Sequence, residues 1–323
     1  MRLTLHQLRI FRAVAEAGSI ARAAEQFHLT APTLSIQLKQ LSEAAGMPLY
    51  EIVGRKLRLT EAGRDMLEAA LAVREPLQRL EQQLAARQGV ERGRLRIAAV
   101  STAEYFMPQV LGSFRRRHPG IEATLRILPR AALIERLEQG LDDWYLMTRP
   151  PARGELERER VGINPLVMIA APDHPWTRSP RLAFDLVANT GFVVREQGSG
   201  TRLWTAEWLQ LFGAELNPEM ELGSNEAIKQ AVRGGYGLAV ISLHAVELEL
   251  SAGELVLLDV PHFPAPVYWH LLQKPGRIVT PAARAFREHL QVEMPRHDET
   301  LIARLEAVGH QWKGSPKKDV VAR

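Results

Sequence analysis

Three blocks of apolar residues at helical spacing open the chain. The first block ends at Gly18, and its predicted inner face consists of Leu5, Leu8, Phe11, Val14 and Ala15. Ser19 is placed to cap a second helix that ends near Phe27. The third block has Pro32 in its first turn, where a missing N–H costs no hydrogen bond, and would bury Leu34, Leu38 and Leu41. Two short helices joined by a tight turn are typical of a helix-turn-helix.

Polar side chains at the start of the third helix are predicted to face outward, and a basic hairpin follows. Ser35 and Gln37 suit base edges, while Lys39 and nearby backbone N–H groups suit phosphates. The stretch "LYEIVGRKLRLT" alternates around Gly54 like a hairpin with a basic tip, which fits a wing that reaches a minor groove. A small three-helix bundle without a nucleic-acid role is the alternative. The candidate DNA-binding residues are Arg22, Thr30, Ala31, Pro32, Thr33, Ser35, Gln37, Lys39, Arg55 and Lys56.

From Thr60 onward the apolar positions are spaced alternately four and three residues apart. This spacing is the inner seam of a coiled coil and predicts a helix that pairs with a second copy of the chain. A helix packed on its own domain is the alternative. Pro76 interrupts the pattern at a cost of about 3 kcal/mol, so we expect a kink or two helical pieces there. The seam consists of Met66, Ala70, Val73, Leu77, Leu80 and Leu84.

Beyond residue 93, short apolar strands alternate with helical segments. The strands are predicted at "LRIAAV", "IEATLRI", "WYLMT", "PLVMIAAP", "GFVVRE", "GLAVIS", "LVLLDV" and "VYWHLLQ". The helices are predicted over Glu104–Arg117, Ala131–Gln139, Thr201–Phe212, Glu226–Arg233 and Pro281–Leu290. This alternation predicts a mostly parallel sheet with helices on both faces and ligands beyond the carboxyl ends of its strands. A last helix is expected in "ETLIARLEAVGHQW", followed by a disordered end.

Composition and charge narrow the class of protein. The 323 residues exceed one ordinary core and include no cysteine, which excludes disulfides, thiolate catalysis and cysteine zinc sites. No apolar run reaches membrane-spanning length and no signal peptide is recognisable, so we expect a cytoplasmic protein. The formal net charge is +4, and residues 1–60 carry all of it, with eight basic residues against four acidic ones. A local basic surplus indicates a polyanionic partner.

The turn "REQGSGTR" at residues 195–202 is the strongest candidate for chemistry in the second part of the chain. A helix N-terminus at Ser199–Thr201, together with Arg195 or Arg202, favours an anion. The turn lacks the lysine of a P-loop and does not complete a dinucleotide fingerprint. The ten histidines show no metal-ligand spacing, and Glu196 is expected to pair with Arg195 rather than act as a base. We therefore expect this loop to bind an anion without catalysing a reaction.

Residues 1–63 resemble the N-terminal domain of LysR-type transcriptional regulators. The resemblance rests on "LHQLRIFRAVAEAGSIARAAEQFHLTAPTLSIQLKQLSEAAGMPLYEIVGRKLRLTEAG". The matching features are Ala23–Ala24, Pro32, Ser35, Leu41, Gly46, Leu49, Gly54–Arg55 and "LTEAG". Ala31 stands where the family usually has a base-contacting glutamine, and Ile36 where a polar or basic residue is common. The resemblance implies DNA binding and a linker helix that pairs two subunits on a partly palindromic site.

The rest of the chain, to about residue 292, resembles the two-lobed effector domain of the same family, which is similar to periplasmic binding proteins. The "RExGSGTR" form is particularly like the CbbR-like branch that controls carbon-fixation (RuBisCO) operons. Departures expected to face the cleft are "LPR" at 128–130, Trp144, Tyr145 and Thr148. The candidate effector-binding residues are Ser101, Thr102, Arg130, Thr148, Arg149, Arg195, Gly198, Ser199, Gly200, Thr201, Arg202 and Asn225.

These observations predict the fold class α + α/β and a regulatory function. The predicted regions are a winged helix-turn-helix over 1–60, a dimerisation helix and hinge over 61–93, lobe I over 94–163 plus 267–292, lobe II over 164–266 and a tail over 293–323. We expect a homo-oligomeric activator of a metabolic operon that binds promoter DNA and RNA polymerase. A phosphorylated metabolite, nucleotide or carboxylate between the lobes would control it, with no cofactor and no metal. A two-lobed small-molecule binding protein, or an enzyme of phosphorylated metabolites, is the alternative.

Overall fold

The computed structural model describes residues 3–27, 29–53, 56–87, 93–152, 155–179, 182–277 and 279–314. The chain divides into two units, Met1–Gln88 and Gly89–Arg323. Within the described part of the chain, no helix is both long enough and apolar enough to cross a membrane.

The first unit is a helical domain with one hairpin. It consists of α1 (Leu5–Ala17), α2 (Ile20–Gln26), α3 (Ala31–Ala45), β1 (Tyr50–Val53), β2 (Lys56–Leu59) and α4 (Glu61–Arg87). The strands β1 and β2 pair antiparallel, as the alternation predicted. The core contains Ile10, Phe11, Ala13, Val14, Ala23, Ala24, Leu34, Leu38, Leu41, Leu49 and Met66. The predicted inner face of α1 was wrong at Leu5, which is 48% exposed, because the buried face is centred on Ile10 and Phe11.

Gly63 closes the hairpin onto the start of α4. A Cβ atom on Gly63 would lie 1.9 Å from the carbonyl oxygen of Leu49, a distance no side chain tolerates. Thr60 Oγ1 donates to the Pro48 carbonyl at 2.8 Å and accepts from Gly63 N at 3.0 Å. The last residue of the "LTEAG" motif, Gly63, therefore lies so close to the backbone of Leu49 that only glycine fits there.

The helix α4 continues through Pro76 as one helix, so of the two expectations the two helical pieces were wrong, and a kink at Pro76 stays a prediction. Met66 belongs to the core of the first unit and Ala70 is buried, so the first part of the predicted seam is covered within this unit. Val73 and Leu80 are 38% and 50% exposed, which leaves these positions free to contact a partner. The side chains of Leu77 and Leu84 lie outside the described residues. Pairing through the seam stays a prediction.

The second unit consists of two lobes. Lobe I contains β3 (Gly93–Val100), α5 (Met107–Arg117), β4 (Ile121–Leu128), α6 (Arg130–Gln139), β5 (Trp144–Met147), β6 (Glu157–Ile163) and β12 (Tyr268–Gln273). Lobe II contains β7 (Leu166–Ala170), α7 (Phe184–Ala188), β8 (Phe192–Arg195), α8 (Gly200–Leu211), β9 (Pro218–Leu222), α9 (Asn225–Arg233), β10 (Ala239–Ser242), α10 (Glu247–Ala252) and β11 (Val256–Leu257). The helix α11 (Pro281–Ala307) follows lobe I, and 3₁₀ turns lie at Ser101–Tyr105, Pro175–Arg178 and Leu243–Ala245.

The sheets of the second unit mix parallel and antiparallel pairs. Lobe I has a five-stranded sheet in the order β4-β3-β5-β12-β6, in which β3 runs parallel to β4 and β5 while β12 runs antiparallel to its neighbours. Lobe II has an antiparallel sheet β10-β7-β11 and a parallel pair β8-β9. The predicted mostly parallel sheet was therefore wrong, because the chain crosses between the lobes twice and returns through β12 in the opposite direction.

Several element boundaries differ from the prediction. The helix predicted over Glu104–Arg117 is a 3₁₀ turn followed by α5, with the break at Phe106. The strands β6 and β9 were missed because their sequences, "ERERVGI" and "PEMEL", are interrupted by charged residues, four of seven and two of five, and lie at the edges of their sheets. The strand predicted in "LVLLDV" is only two residues long in the structure.

The helix α11 packs against both lobes. Its first part places Phe286, Leu290 and Met294 in the lobe I core, and its last turns place Leu301 and Leu305 in a lobe II core. The separate last helix expected in "ETLIARLEAVGHQW" is the continuation of α11, which passes through Pro295 without a break. The region predicted as a tail from residue 293 is thus helical to Ala307, while residues 315–323 lie outside the described residues.

Candidate functional site

A threonine cap fixes the beginning of α3. Thr30 Oγ1 accepts a hydrogen bond from Thr33 N at 3.3 Å and lies 2.8 Å from Thr33 Oγ1. Pro32 lies in the first turn, as predicted. Ser19 occupies the corresponding cap position of α2, but its side chain makes no capping hydrogen bond. The helix end that the sequence assigns to a DNA groove is therefore held by the hydroxyls of Thr30 and Thr33.

The predicted DNA-binding residues of α3 form a polar surface. Ser35 and Gln37 are half-buried, whereas Pro32 and Thr33 are exposed. Lys39 Nζ lies 4.0 Å from Glu43 Oε1, at the limit of an ion pair, and its side chain is largely exposed. An exposed lysine with such a loose partner is available for a phosphate.

Other members of the predicted DNA-binding set have different surroundings. Arg22 Nη2 donates to the Ala17 carbonyl at 2.6 Å, so this side chain also closes the end of α1. Ala31 is half-buried at the start of α3. Arg55 and the side chain of Lys56 lie outside the described residues. Sequence reasoning did not assign Ile36 to the set, although it is 57% exposed on α3, where an apolar side chain suits a thymine methyl group.

A narrow cleft separates lobe I from lobe II where several strands end. Its volume is about 20 Å³, and it is lined by Val100, Ser101, Thr102, Arg130, Met147, Thr148, Arg149, Arg195, Glu196, Ser199, Gly200 and Thr201. The structure thus brings together most of the predicted effector-binding residues. Gly198, Arg202 and Asn225 do not line the cleft: Gly198 adopts a positive φ of 82° in the turn before α8, and the other two hold neighbouring groups.

Arg195 is the most buried cation of the cleft, with 6% of its surface exposed. Its guanidinium binds both carboxylate oxygens of Glu196, at 2.7 and 2.9 Å, which is the ion pair predicted from sequence. It also donates to Asn225 Oδ1 at 2.7 Å and, across the cleft, to Ser101 Oγ at 3.2 Å. Asn225 therefore acts through Arg195 and does not reach the cleft itself.

Arg202 and Arg149 also bind carboxylates. Arg202 Nη1 donates to the Arg195 carbonyl at 2.9 Å and to Glu221 Oε2 at 2.5 Å. Arg149 binds Glu207 with both of its terminal nitrogens, and one of these contacts, from Nη1 to Oε2, is 2.7 Å long. The pKa of Glu207 is lowered because it accepts hydrogen bonds from Arg149, so the carboxylate stays ionised.

Arg130 differs from the other cleft arginines. It is the first residue of α6, and its Nε donates to the Arg149 carbonyl at 3.2 Å. Burial lowers the pKa of Arg130, and the positive charge of Arg149 lowers it further. Among the described residues, no carboxylate lies within ion-pair distance of Arg130. The cleft wall therefore carries a positive charge with no internal counter-ion.

Two expectations about the cleft were wrong. Trp144 and Tyr145 point away from it into the lobe I cores. Trp144 Nε1 donates to the Ala283 carbonyl at 2.9 Å, and Tyr145 Oη donates to the Arg136 carbonyl at 2.9 Å. Both side chains occupy positions of β5 that are buried on either face, and strand alternation alone does not show which end of a buried strand faces a ligand.

Sequence reasoning also missed one residue that binds an arginine of the cleft. Glu207 lies on α8 beyond the recognised motif, and no local signal marks it as a partner of Arg149.

Within the described ranges, no group of three or more histidine, aspartate or glutamate side chains is placed to hold a metal ion. The cleft as built offers hydroxyls, arginines and the N-terminus of α8, which are donors for an anion.

Two protein-family models match the chain. The model described as "Bacterial regulatory helix-turn-helix protein, lysR family" matches residues 5–64, and the model "LysR substrate binding domain" matches residues 88–295. The chain belongs to the LysR family of bacterial transcriptional regulators. It is a DNA-binding regulator with a two-lobed effector domain, as predicted.

The most similar relatives of this LysR-type regulator include proteins of carbon metabolism. It is 43% identical over 287 residues to a RuBisCO operon transcriptional regulator of Acidithiobacillus ferrooxidans, covering 89% of this chain and 93% of that protein. It is 40% identical to the transcriptional activator CmpR of Synechocystis sp., covering 92% of this chain and 97% of that protein. The predicted likeness to the CbbR-like branch is confirmed by these relatives.

Solved structures of LysR-type regulators share the fold. The regulatory domain of CcmR from Synechocystis, solved in complex with 2-phosphoglycolate (2-PG), is 35% identical with a TM-score of 0.61, covering 63% of this chain and 98% of that chain. Full-length CbnR in complex with its target DNA is 20% identical with a TM-score of 0.65, covering 90% of this chain and 99% of that chain. The second likeness bears on the fold alone.

Proposed function

We propose that this LysR-type regulator activates a carbon-fixation operon in response to a small phosphorylated carboxylic acid held between its lobes. The relatives that regulate RuBisCO operons support the class of operon. The 2-phosphoglycolate bound by the related CcmR domain supports the class of effector. A nucleotide, a phosphorylated sugar and a simple carboxylate are the competing ligands in the test below.

The observation that carries this proposal is the unpaired charge of Arg130. Its guanidinium lies in the cleft wall beside Arg149 with no carboxylate partner among the described residues, and burial penalises its charged form. An anionic group bound here gains a charge-assisted hydrogen bond and relieves the repulsion between the two arginines. Ser101, Thr102 and Thr148 line the same cleft and offer hydroxyl donors for further oxygens of a phosphate or carboxylate.

We infer a cytoplasmic homodimer, or a dimer of dimers, that binds a partly palindromic promoter site and contacts RNA polymerase. The exposed Val73 and Leu80 support pairing of α4 with the same helix of a second copy of the chain. In sequence, α4 lies between the DNA-binding region at 1–60 and the lobes. Residues 61–93 would then link the two functions, with lobe I formed by 94–163 plus 267–292 and lobe II by 164–266. Two linked DNA-binding domains gain affinity through their effective concentration.

The experiment that tests this function is fluorescence anisotropy with a labelled duplex from the region upstream of the chain's own gene. An unrelated duplex and two salt concentrations separate specific from electrostatic binding. We expect preferential binding to the upstream duplex and a change in its affinity when 2-phosphoglycolate is added. Equal, strongly salt-dependent binding to both duplexes, or no response to any anion, contradicts the proposal.

Variants locate the effect in the cleft. Replacing Arg130 with Met removes the charge and keeps most of the side-chain volume, so we expect the response to 2-phosphoglycolate to be lost and DNA affinity to be kept. Arg284→Met is the matched control, since Arg284 is an exposed arginine on α11 with no ion pair among the described residues. On the DNA side, Ser35→Ala should reduce the preference for the upstream duplex without lowering its salt dependence.

A further inference from the structure

We propose that Glu207 is an internal competitor of the effector: its carboxylate occupies Arg149 and joins the two lobes, and the anionic group of the effector has to displace it. This inference rests on the proposed function of the cleft. It adds a residue that sets the affinity for the effector, on a part of α8 outside the recognised motif.

The first argument is the chemistry of the pair. Both terminal nitrogens of Arg149 donate to the two carboxylate oxygens of Glu207. This two-pronged geometry is the one in which arginine binds carboxylates and phosphates in general. Glu207 therefore presents to Arg149 the same group that an anionic ligand would present, and the two cannot hold the same nitrogens together.

The second argument is where the partners lie. Arg149 follows β5 of lobe I, whereas Glu207 lies on α8 of lobe II. Arg195 and Arg202 also pair with carboxylates, but Glu196 and Glu221 belong to lobe II like their partners. Among the ion pairs of these three arginines in the described residues, the pair of Arg149 is the one that spans the two lobes.

The third argument is space. A cleft of about 20 Å³ holds roughly one water molecule, which is far less than a phosphorylated acid needs. A Cβ atom on Gly200 would lie 3.4 Å from Thr148 Oγ1 and 3.9 Å from Arg149 Cβ, so the lobes are in contact at the start of α8. An effector of several atoms can enter only when the lobes separate at this point, and the separation breaks the contact between Arg149 and Glu207.

The fourth argument is cost. The side chains of Arg149 and Glu207 are 37% and 54% exposed, so the pair is reached by water and contributes little to stability. A weak, exposed ion pair can exchange one partner for an anionic ligand, whereas breaking a buried ion pair would cost too much for a small ligand to replace it. The pair thus lowers the affinity for the effector by a modest factor.

The test is isothermal titration calorimetry of the full-length chain with 2-phosphoglycolate and, separately, with inorganic phosphate. We expect Glu207→Gln to bind 2-phosphoglycolate about two- to fivefold more tightly than the unaltered chain, which is the range for loss of one exposed ion pair. Glu221→Gln is the matched control, because it removes the same charge from a carboxylate that pairs with Arg202 within lobe II. Its affinity should stay close to that of the unaltered chain.

A second variant and a second readout keep the test decisive. Glu207→Asp retains the charge on a shorter side chain that cannot reach Arg149 in the same way, and it should also bind more tightly. Because the chain has no cysteine, spin labels can be attached at Arg284→Cys on α11 and Arg178→Cys in lobe II. Without ligand, Glu207→Gln should broaden the distribution of distances between these labels.

The outcomes separate the two proposals. Equal or weaker binding by Glu207→Gln, when the unaltered chain binds 2-phosphoglycolate, overturns this inference and leaves the proposed function intact. Equal tightening by Glu207→Gln and Glu221→Gln points to general electrostatics and also overturns it. If the unaltered chain binds neither anion, the proposed function fails and the inference fails with it. Thermal unfolding of each variant, followed by tryptophan fluorescence, shows that the variants are folded.

Discussion

Two kinds of contact join the lobes, and they are built from different chemistry. The first kind is polar: Arg149 binds Glu207 and Arg195 binds Ser101 at the cleft, and elsewhere Tyr105 Oη donates to Glu226 Oε1 at 2.7 Å. The second kind is apolar: the helix α11 carries side chains into the cores of both lobes.

This difference decides which kind of contact can change its partners. Exposed ion pairs contribute about 1 kcal/mol or less, because water competes for both charges. Removal of one buried leucine costs about 2–5 kcal/mol, because it forfeits apolar burial and leaves a cavity. We therefore expect the lobes to pivot about α11 and to open at the cleft when an effector shifts the balance between two arrangements.

Asp298 on α11 gives the largest expected effect, and it depends on pH. Its buried carboxyl group accepts hydrogen bonds from Ile163 N at 3.2 Å, and burial raises its pKa to about 7. The unfolded group ionises near pH 4, so between about pH 4 and 7 the unfolded state loses a proton that the folded state keeps. The contribution of Asp298 to the stability of the second unit should thus fall as pH rises through this range and level off above it, whereas the buried His244, whose pKa burial lowers to about 3, contributes in the opposite direction.

The variant Asp298→Asn should remove this contribution and be more stable than the unaltered chain at pH 8, by roughly 4 kcal/mol at most. Urea unfolding at pH 5 and pH 8 measures the difference, and tryptophan fluorescence reports on the second unit because all six tryptophans lie in it. Asp173→Asn, at an exposed position, is the control. A variant less stable at both pH values would mean that the ionised carboxylate is itself stabilising.

Leu301 gives the next effect, since it fixes the last turns of α11 to lobe II. Leu301→Ala should lower the free energy of unfolding by about 3 kcal/mol, as expected for a fully buried leucine. Val308→Ala, just beyond the helix and 41% exposed, should change it by less than about 0.5 kcal/mol. A small effect of Leu301→Ala would show that α11 is anchored to lobe I alone, and the comparison between the polar contacts and the α11 contacts would lose its basis.

Much of the fold was predictable because local signals and tertiary packing agree. The stripe of Leu34, Leu38 and Leu41 in α3 is buried as its spacing predicts. The strand β6 was not predictable, because its first half is charged and exposed and only Val161 to Ile163 are buried. The extent of α11 was missed since Pro295 and the polar residues around it read as a boundary, while the burial of Leu301 depends on lobe II, which is distant in sequence.

The cleft was predictable residue by residue where a loop motif or a family position marks it, as at Ser101 and Ser199. The partners of the arginines were not. Glu207 and Arg149 are far apart in the chain, and only the closed arrangement of the lobes brings them together. Trp144 was misplaced because a strand buried on both faces has no alternation to show which side chains approach a ligand.

Gly162 sharpens the comparison at the point where the chain leaves lobe I. A Cβ atom there would lie 2.5 Å from Met294 Cε and 3.2 Å from Asp298 Oδ1, both on α11. Gly162→Ala should therefore cost about 2 kcal/mol, because Met294 is buried and its displacement disturbs a packed core. Urea unfolding measures this cost, and Gly223→Ala, where a Cβ meets nothing within 4 Å, is the control. If Gly162→Ala and Gly223→Ala lowered the free energy of unfolding equally, α11 would not be tightly packed against β6.

Tyr105 tests one of the polar contacts between the lobes, for which the smallest effect is expected. Tyr105→Phe removes the hydroxyl that binds Glu226, but Glu226 keeps its ion pair with Lys229 at 2.8 Å, so no buried charge is left without a partner. The cost should be about 1 kcal/mol, the net contribution of one hydrogen bond. Tyr236→Phe, at an exposed position in lobe II, serves as the reference. If Tyr105→Phe lost as much free energy of unfolding as Leu301→Ala, the polar contacts would be as strong as the contacts of α11. The weakness of the polar contacts would then not explain opening at the cleft.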